Sequence, residues 1–159
     1  MVRSNGDGSF AFEFPTHVPD LVVHLGDQLD TILDTDVPDL NRLFPTAYPH
    51  DPERDAGYQI LARGELIDHR RNSLDVVRDT ATARVLTEDQ LTAWMHVVND
   101  LRLVLGTRLD VSEDDVDLDD DDPLLPALEV YRLLGAVLSE IIEALTDTLP
   151  PPGDPDPLD

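Results

Sequence analysis

Residues 96–111 read HVVNDLRLVLGTRLDV, and they set Asn99, Asp100, Arg102 and Arg108 among Val and Leu at helical spacing. Leu91, Trp94, Met95, Val98, Leu101 and Leu105 form the apolar stripe of that helix, and Arg102 projects near its middle. A guanidinium in such a position either runs out along its stem to water or meets a carboxylate, because an unpaired buried charge costs several kcal/mol. Asn99, one turn back on the same side, is placed to orient it, whereas Asp100 points toward the opposite face beside His96. Arg70 lies inside a second apolar stripe and poses the same problem. The favoured reading makes both arginines staples between helices, with Glu129, Glu140 or Glu143 as partner acids. The competing reading is a ligand or partner site between the loop 42–51, which carries Arg42 and Tyr48, and the segment from Asn99 to Arg108, where arginines would clamp an anion.

Other chemistry is excluded by spacing. Asp115, Asp117 and Asp119 have the first ligand spacings of an EF-hand, but Asp120 stands where the turn needs Gly and Pro126 where a bidentate Glu is required. The five histidines at 17, 24, 50, 69 and 96 contain no HExxH and no i,i+4 pair. Glycines are too scattered for a phosphate loop or a dinucleotide fingerprint, and carboxylates too abundant for one acid–base pair to stand out. No catalytic, cofactor or metal residue is therefore assigned. The site expectation is a structural or interaction cluster of Arg42, Tyr48, Asn99, Asp100, Arg102 and Arg108.

The elements that must carry these residues follow from periodicity. SFAFEF, residues 9–14, alternates like a short half-buried strand ended by Pro15. Thr16 is a plausible N-cap for a helix over 17–33 that buries Val18, Leu21, Val22, Leu25, Leu29, Ile32 and Leu33 and turns Asp27, Asp30 and Asp34 outward. A short helix near Asp36, with Pro38 in its first turn, stops before Pro45, and a proline-stiffened loop follows. Glu53–Ala62 reads as a weak helix broken at Arg63–Gly64, ahead of a long helix over 65–85. TEDQ, residues 87–90, is a capping-box signature for a helix over 88–105 that stops at Gly106. Nine of the thirteen residues from Asp110 to Asp122 are acidic, which suits a solvated linker. The helix over 124–148 is apolar around more than half its circumference, Ile142 included, and is expected at the centre.

The expectation is an all-α domain, a four-helix bundle-like arrangement with a short N-terminal strand and small extra helices. Residues 1–8 read as a flexible start, 9–149 as one helical domain with the acidic linker 110–122 inside it, and 150–159 as a disordered Pro- and Asp-rich tail. The strand is expected to pair with TRLDV, residues 107–111, within a chain or across a dimer; the oligomeric state stays open.

In 159 residues there is no Cys, which removes disulfides, thiolate catalysis and thiol redox sensing within this chain. No signal-like or membrane-spanning apolar run is found, so a cytoplasmic location and no membrane contact are expected. Thirty-four acidic against 11 basic residues, all of them Arg, give a net charge of −23. Such a field repels nucleic-acid backbones and anionic lipid, and so argues against direct DNA binding. A salt-adapted proteome, or a GC-rich genome rich in Arg codons, gives the same composition with no function attached.

The runs NRLFPTAYPHDPE (41–53), LTAWMHVVNDLR (91–102) and VNDLRLVLGTRLDVSEDD (98–115) resemble the actinobacterial AosR-type family, long catalogued as a domain of unknown function. The resemblance covers residues 10–148. It implies a mostly helical protein of a high-GC Gram-positive bacterium, connected with transcriptional responses to oxidative stress; genes of the family tend to lie near a Clp protease adaptor and near cysteine-biosynthesis genes. Members proposed as redox regulators depend on a cysteine pair that this chain lacks, so that switch is not carried over. Gly57 also stands where relatives usually keep a carboxylate. The functional expectation is a non-enzymatic regulatory or adaptor protein, without cofactor, that contacts another protein such as part of the transcription machinery. The alternative is an enzyme or small-molecule binder with an arginine-lined pocket for an anionic metabolite.

Overall fold

The strand expected at SFAFEF does form, but its neighbours are not the ones its spacing suggested. In the computed structural model, which describes residues 1–44, 46–109 and 119–149, β1 (Val2–Ser4) and β2 (Ser9–Phe12) make a hairpin, and β3 (Val85–Thr87) flanks β2 on its other edge. Both pairings are antiparallel, with Arg3 opposite Ala11 and Phe10 opposite Leu86. The turn between β1 and β2 needs Gly6 and Gly8 at φ of 82° and 88°, a region in which only glycine is unstrained. Residues 1–8, expected to be flexible, thus supply an edge strand. Thr107–Leu109, expected as the partner strand, is helical instead. A glycine-supported hairpin brings β1 to β2 with little chain to order, so the local pairing wins over the distant one.

The protein is mostly helical with this small sheet attached, not all-α. Helix α1 spans His17–Ile32, α2 Pro52–Thr80, α3 Glu88–Leu109 and α4 Leu125–Thr146, and Pro38–Leu40 form a single 3-10 turn. Thr16 precedes α1 but makes no side-chain cap. Helix α2 joins what the sequence divided: Gly57 and Arg63–Gly64 lie inside one helix of 29 residues, and it ends at Thr80 rather than residue 85. Each glycine costs about 1 kcal/mol against Ala in a helix interior. Contacts offset that. Asp51 caps the helix through the Arg54 amide at 3.1 Å, Asp55 accepts from the amides of Ala47 and Tyr48, and Arg63 donates to the Thr35 carbonyl while lying 4.3 Å from the Phe44 ring centroid.

The centre is α3, not α4. Helix α3 touches α1, α2, α4, β2, β3 and the 3-10 turn, and it buries residues on several faces, from Leu91, Trp94 and Val98 to Asp100 and Gly106. Helix α4 buries Leu134, Val137, Leu138 and Ile141 but leaves Ile142 45% exposed, so its broad apolar surface is only partly covered. The core joins these faces to Phe10, Phe12, Val22, Leu33, Leu74 and Val77. The acidic linker falls outside the described residues except for 119–122, and so do Asp115, Asp117 and the tail 150–159.

Candidate functional site

Helix α3 starts where the sequence said it would. The Thr87 amide donates to Oε1 of Gln90 at 3.0 Å, and the Gln90 amide donates back to Oγ1 of Thr87 at 3.2 Å. This reciprocal box fixes the register at which β3 becomes α3, and therefore the faces on which the polar residues of the helix emerge. Residues of the helix meet four different neighbours.

Toward α4, the Arg102 guanidinium lies 4.6 Å from the centroid of the Tyr131 ring. It also passes over Gly135, where a Cβ would come within 3.1 Å of Nε. None of the carboxylates expected to meet it does so among the described residues; Nε is buried without a hydrogen-bond partner. The staple to the last helix is real, but it is made by an aromatic face and a glycine gap rather than by an acid. A guanidinium is weakly hydrated and planar, which suits it to that environment.

Toward the loop before α2, Gly106 lets Arg42 approach: a Cβ there would lie 2.6 Å from Nη1 of Arg42 and 3.3 Å from the Tyr131 ring. Gly106 is thus a point of close packing inside α3, where the sequence suggested a terminator. Toward the 3-10 turn, Arg108 donates from Nε to Oδ2 of Asp39 at 2.6 Å. Arg108 is therefore engaged away from Tyr48, which packs edge-on against Tyr58 with centroids 6.1 Å apart and carries the Arg54 guanidinium on its face.

Toward α2 lies the most polar environment. Asp100 is buried, with Oδ2 3.4 Å from Nε of Arg70. Arg70 donates from Nη2 to the Leu43 carbonyl and lies near the Phe44 ring, while its Nε faces Asp100 as an ion pair without making a hydrogen bond. His69 and His96 meet edge to face at 5.5 Å, and with Arg70, Ser73 and Asp100 they line a recess of about 100 Å³. Burial pushes the Asp100 carboxyl up to about 6, against the opposing pull of Arg70 and His69. Burial likewise holds His96 below the usual imidazole range, helped by the charges of His69 and Arg70. The sequence placed Asp100 on an outer face and Asn99 beside Arg102; Asn99 is exposed and Asp100 is the buried one.

The six expected site residues therefore do not form one pocket: Arg42, Asp100, Arg102 and Arg108 make separate contacts around α3, Tyr48 packs against Tyr58 and Arg54, and Asn99 is exposed. Sequence reasoning missed Tyr131 and Gly135, whose roles follow from tertiary approach, and His69 with Ser73, an i,i+4 pair on α2 that faces His96 and Asp100. It also missed Ile60 and Leu61 on α2, 82% and 80% exposed. Ile60 is in phase with the buried Ile67 and Leu74, so spacing alone marks it for burial, and only the fold shows that this half of the helix is left uncovered. Among the described residues, no group of three or more His, Asp or Glu is arranged to hold a metal ion.

The family described as Domain of unknown function (DUF2017) matches residues 2–145 of this chain. The chain belongs to that family. Curated relatives of the chain carry the name suggested by the sequence blocks. The oxidative stress regulator AosR of Mycobacterium tuberculosis (strain ATCC 25618 / H37Rv) and that of Mycobacterium bovis (strain ATCC BAA-935 / AF2122/97) are each 35% identical over 109 residues, covering 65% of this chain and 50% of the relative. The putative oxidative stress regulator AosR of Mycobacterium leprae (strain TN) is 29% identical over 129 residues, covering 70% of this chain and 59% of its own length. This DUF2017 chain spans about half the length of the curated relatives it matches. No solved structure matches it significantly. Among its described residues no helix is long and apolar enough to cross a membrane.

Proposed function

We propose that this chain is a non-enzymatic regulator of the oxidative-stress type, acting by contact with another protein, part of the transcription machinery, through the outer face of the first half of α2. The observation that carries this reading is the exposure of Ile60 and Leu61, with Tyr58 beside them at 42%. No residue of α2 before Ile67 is buried. Large apolar side chains set together in water mark surfaces that another protein covers. The regulatory role is supported by the names of the relatives.

The partner surface is an apolar groove with a basic rim. The stretch around the apolar pair carries Glu53, Asp55, Glu65 and Asp68 against Arg54 and Arg63, both arginines are engaged with neighbours, and the chain carries a net charge of −23. A second copy would bring like charge to like, whereas a basic rim is drawn in. The same field disfavours direct DNA contact. With no cysteine in the chain, the contact works without a thiol switch of its own. The unit that performs it is the single domain 9–149 together with the strand β1 that pairs with it. The contacts of Arg42, Asp100 and Arg102 hold α3 against its neighbours and leave the α2 face free.

The test is binding to purified RNA polymerase holoenzyme by the wild type and by a double variant, Ile60→Ser with Leu61→Ser. The variant is expected to keep its helical signal and melting temperature and to bind at least about tenfold more weakly, as for a truncated contact centre. Equal binding by both proteins overturns the assigned surface. No binding by either overturns the partner class.

A further inference from the structure

A sizeable concave surface lies away from α3's polar contacts and from the α2 face. It sits between the β2–α1 connection and the turn that joins α2 to β3, encloses about 470 Å³, and has Glu13, Phe14, Pro15, Asp20, Thr82 and Arg84 on its walls. That volume falls within the roughly 300–1,000 Å³ of small-ligand sites.

Its walls are held by the backbone. The Phe12 amide donates to the Arg84 carbonyl at 2.8 Å, the Ala83 amide to the Thr80 carbonyl at 3.0 Å, and the Val18 amide to the Pro15 carbonyl at 2.9 Å. Phe14 packs edge-on against Phe12 with centroids 5.1 Å apart, and Phe12 in turn against Trp94 at 4.7 Å. Two prolines, Pro15 and Pro19, stiffen the other side.

The charges in this cleft are unspent. Elsewhere the scarce arginines are taken: Arg71 holds Asp30 and Asp34, and Arg78 holds Asp27, Asp30 and Asp75. Arg84, like Arg3 on β1, makes no side-chain hydrogen bond or ion pair among the described residues, and neither Glu13 nor Asp20 forms an ion pair there. One guanidinium and two carboxylates thus share a preformed, partly apolar cleft without pairing with one another. An anion alone would meet two carboxylates, and a cation alone would meet the guanidinium. A molecule carrying both charges meets each with its opposite.

We propose that this cleft binds a zwitterion with an apolar side chain, a free α-amino acid or the same charged ends on a dipeptide. The carboxylate sits on Arg84, the ammonium between Glu13 and Asp20, and the side chain against Phe14 and Pro15. A guanidinium recognises a carboxylate through two parallel N–H donors, which gives orientation as well as attraction. The site is independent of the partner-binding reading above; neither stands or falls with the other.

The probes are L-phenylalanine and L-alanyl-L-phenylalanine, titrated into the full chain while backbone amide shifts are followed. Controls are N-acetyl-phenylalanine, which lacks the ammonium, and phenylalaninamide, which lacks the carboxylate. Saturable shifts confined to residues 12–20 and 81–84 are expected, with a Kd for the free amino acid in roughly the millimolar range set by its few heavy atoms. Arg84→Ala, which breaks no contact of the fold, should weaken the zwitterions by about tenfold or more, the scale of one charge-assisted bond, and leave phenylalaninamide unchanged. Thr82→Trp, which fills the cleft from an exposed turn, should abolish both. Tighter binding of the dipeptide identifies peptides as the source, and tighter binding of phenylalanine identifies free amino acids. Absence of saturable shifts with both zwitterions, shifts elsewhere, or unaltered affinity in Arg84→Ala overturns the proposal.

Discussion

Arg102 shows how far a residue's role can be read from one chain. Its place inside an apolar stripe is helical arithmetic, and the inference that it must be compensated is sound physics. What compensates it, the Tyr131 face and the gap at Gly135, is set by how α4 approaches α3, which spacing along either helix does not encode. The consequence for stability is specific. Arg102→Ala removes a partly desolvated cation–π contact and a buried stem, and strands no carboxylate, so a loss of about 1–2 kcal/mol is expected in chemical denaturation. Arg108→Ala breaks one ion pair at a half-exposed site and should cost less than about 1 kcal/mol. A loss above about 3 kcal/mol for Arg102→Ala would reveal a partner acid after all. Asp100 allows a sharper test. Its folded value of about 6 lies above the usual carboxylate value, so ionisation penalises the folded state, and stability from this group rises as pH falls from about 7 toward about 4. His96 opposes it: with its folded value depressed, it contributes stability above the unfolded imidazole value, and this is lost as pH falls through that range. Denaturation midpoints at about pH 7 and about pH 5 should therefore move apart in opposite senses for Asp100→Asn and His96→Gln. In Asp100→Asn the gain on acidification shrinks, and in His96→Gln it grows. Identical pH profiles for wild type and both variants would mean that neither group is desolvated.

At the scale of elements, strong local signals were legible and weak ones were overridden. The capping box at Thr87–Gln90 and the stripe of α1 are local devices, and the structure keeps both. Strand pairing was not legible, because three-residue edge strands such as Val2–Ser4 have too few positions to show alternation. Helix α2 is the clearest override. The sequence reads a break at Arg63–Gly64, where tertiary contacts of Arg63 with Thr35 and Phe44 carry the helix through. A Cβ at Gly57 or Gly64 would meet nothing within 4 Å, so no packing demands glycine at either position. Gly57→Ala and Gly64→Ala should each stabilise the protein by about 0.5–1 kcal/mol, read from urea midpoints, by lowering the entropy of the unfolded chain and solvating less helix backbone. Destabilisation by either change would show that the helix bends or opens there, which would also move the exposed Ile60 and Leu61.

For the whole molecule, charge decides more than any one contact. Asp27, Asp30 and Asp34 were expected to face solvent, and they do lie off the core face of α1. They meet Arg71 and Arg78 of α2 at 2.7–3.0 Å. Hydrogen bonds from Arg71, opposed by burial, hold Asp30 and Asp34 below the usual carboxylate range. That rail consumes two of eleven basic residues, while 34 acidic residues leave a net charge of −23. Salt acts on attraction and repulsion alike, with opposite consequences. It weakens the rail, whose exposed pairs are worth about 0.2–1 kcal/mol each, and it relieves repulsion among the uncompensated carboxylates. Because the uncompensated charges far outnumber the rail pairs, the relief of repulsion outweighs the weakening of the rail. The melting temperature should rise between about 0.02 M and about 1 M sodium chloride, as the screening length contracts from tens of ångströms to about 3 Å. Removing the rail with Arg71→Gln and Arg78→Gln takes away the attraction that salt weakens and adds two net negative charges, so the double variant should gain more from salt than the wild type does. A melting temperature that falls with salt in the wild type, and stays flat in the double variant, would instead make the α1–α2 ion pairs the dominant electrostatic feature of the fold.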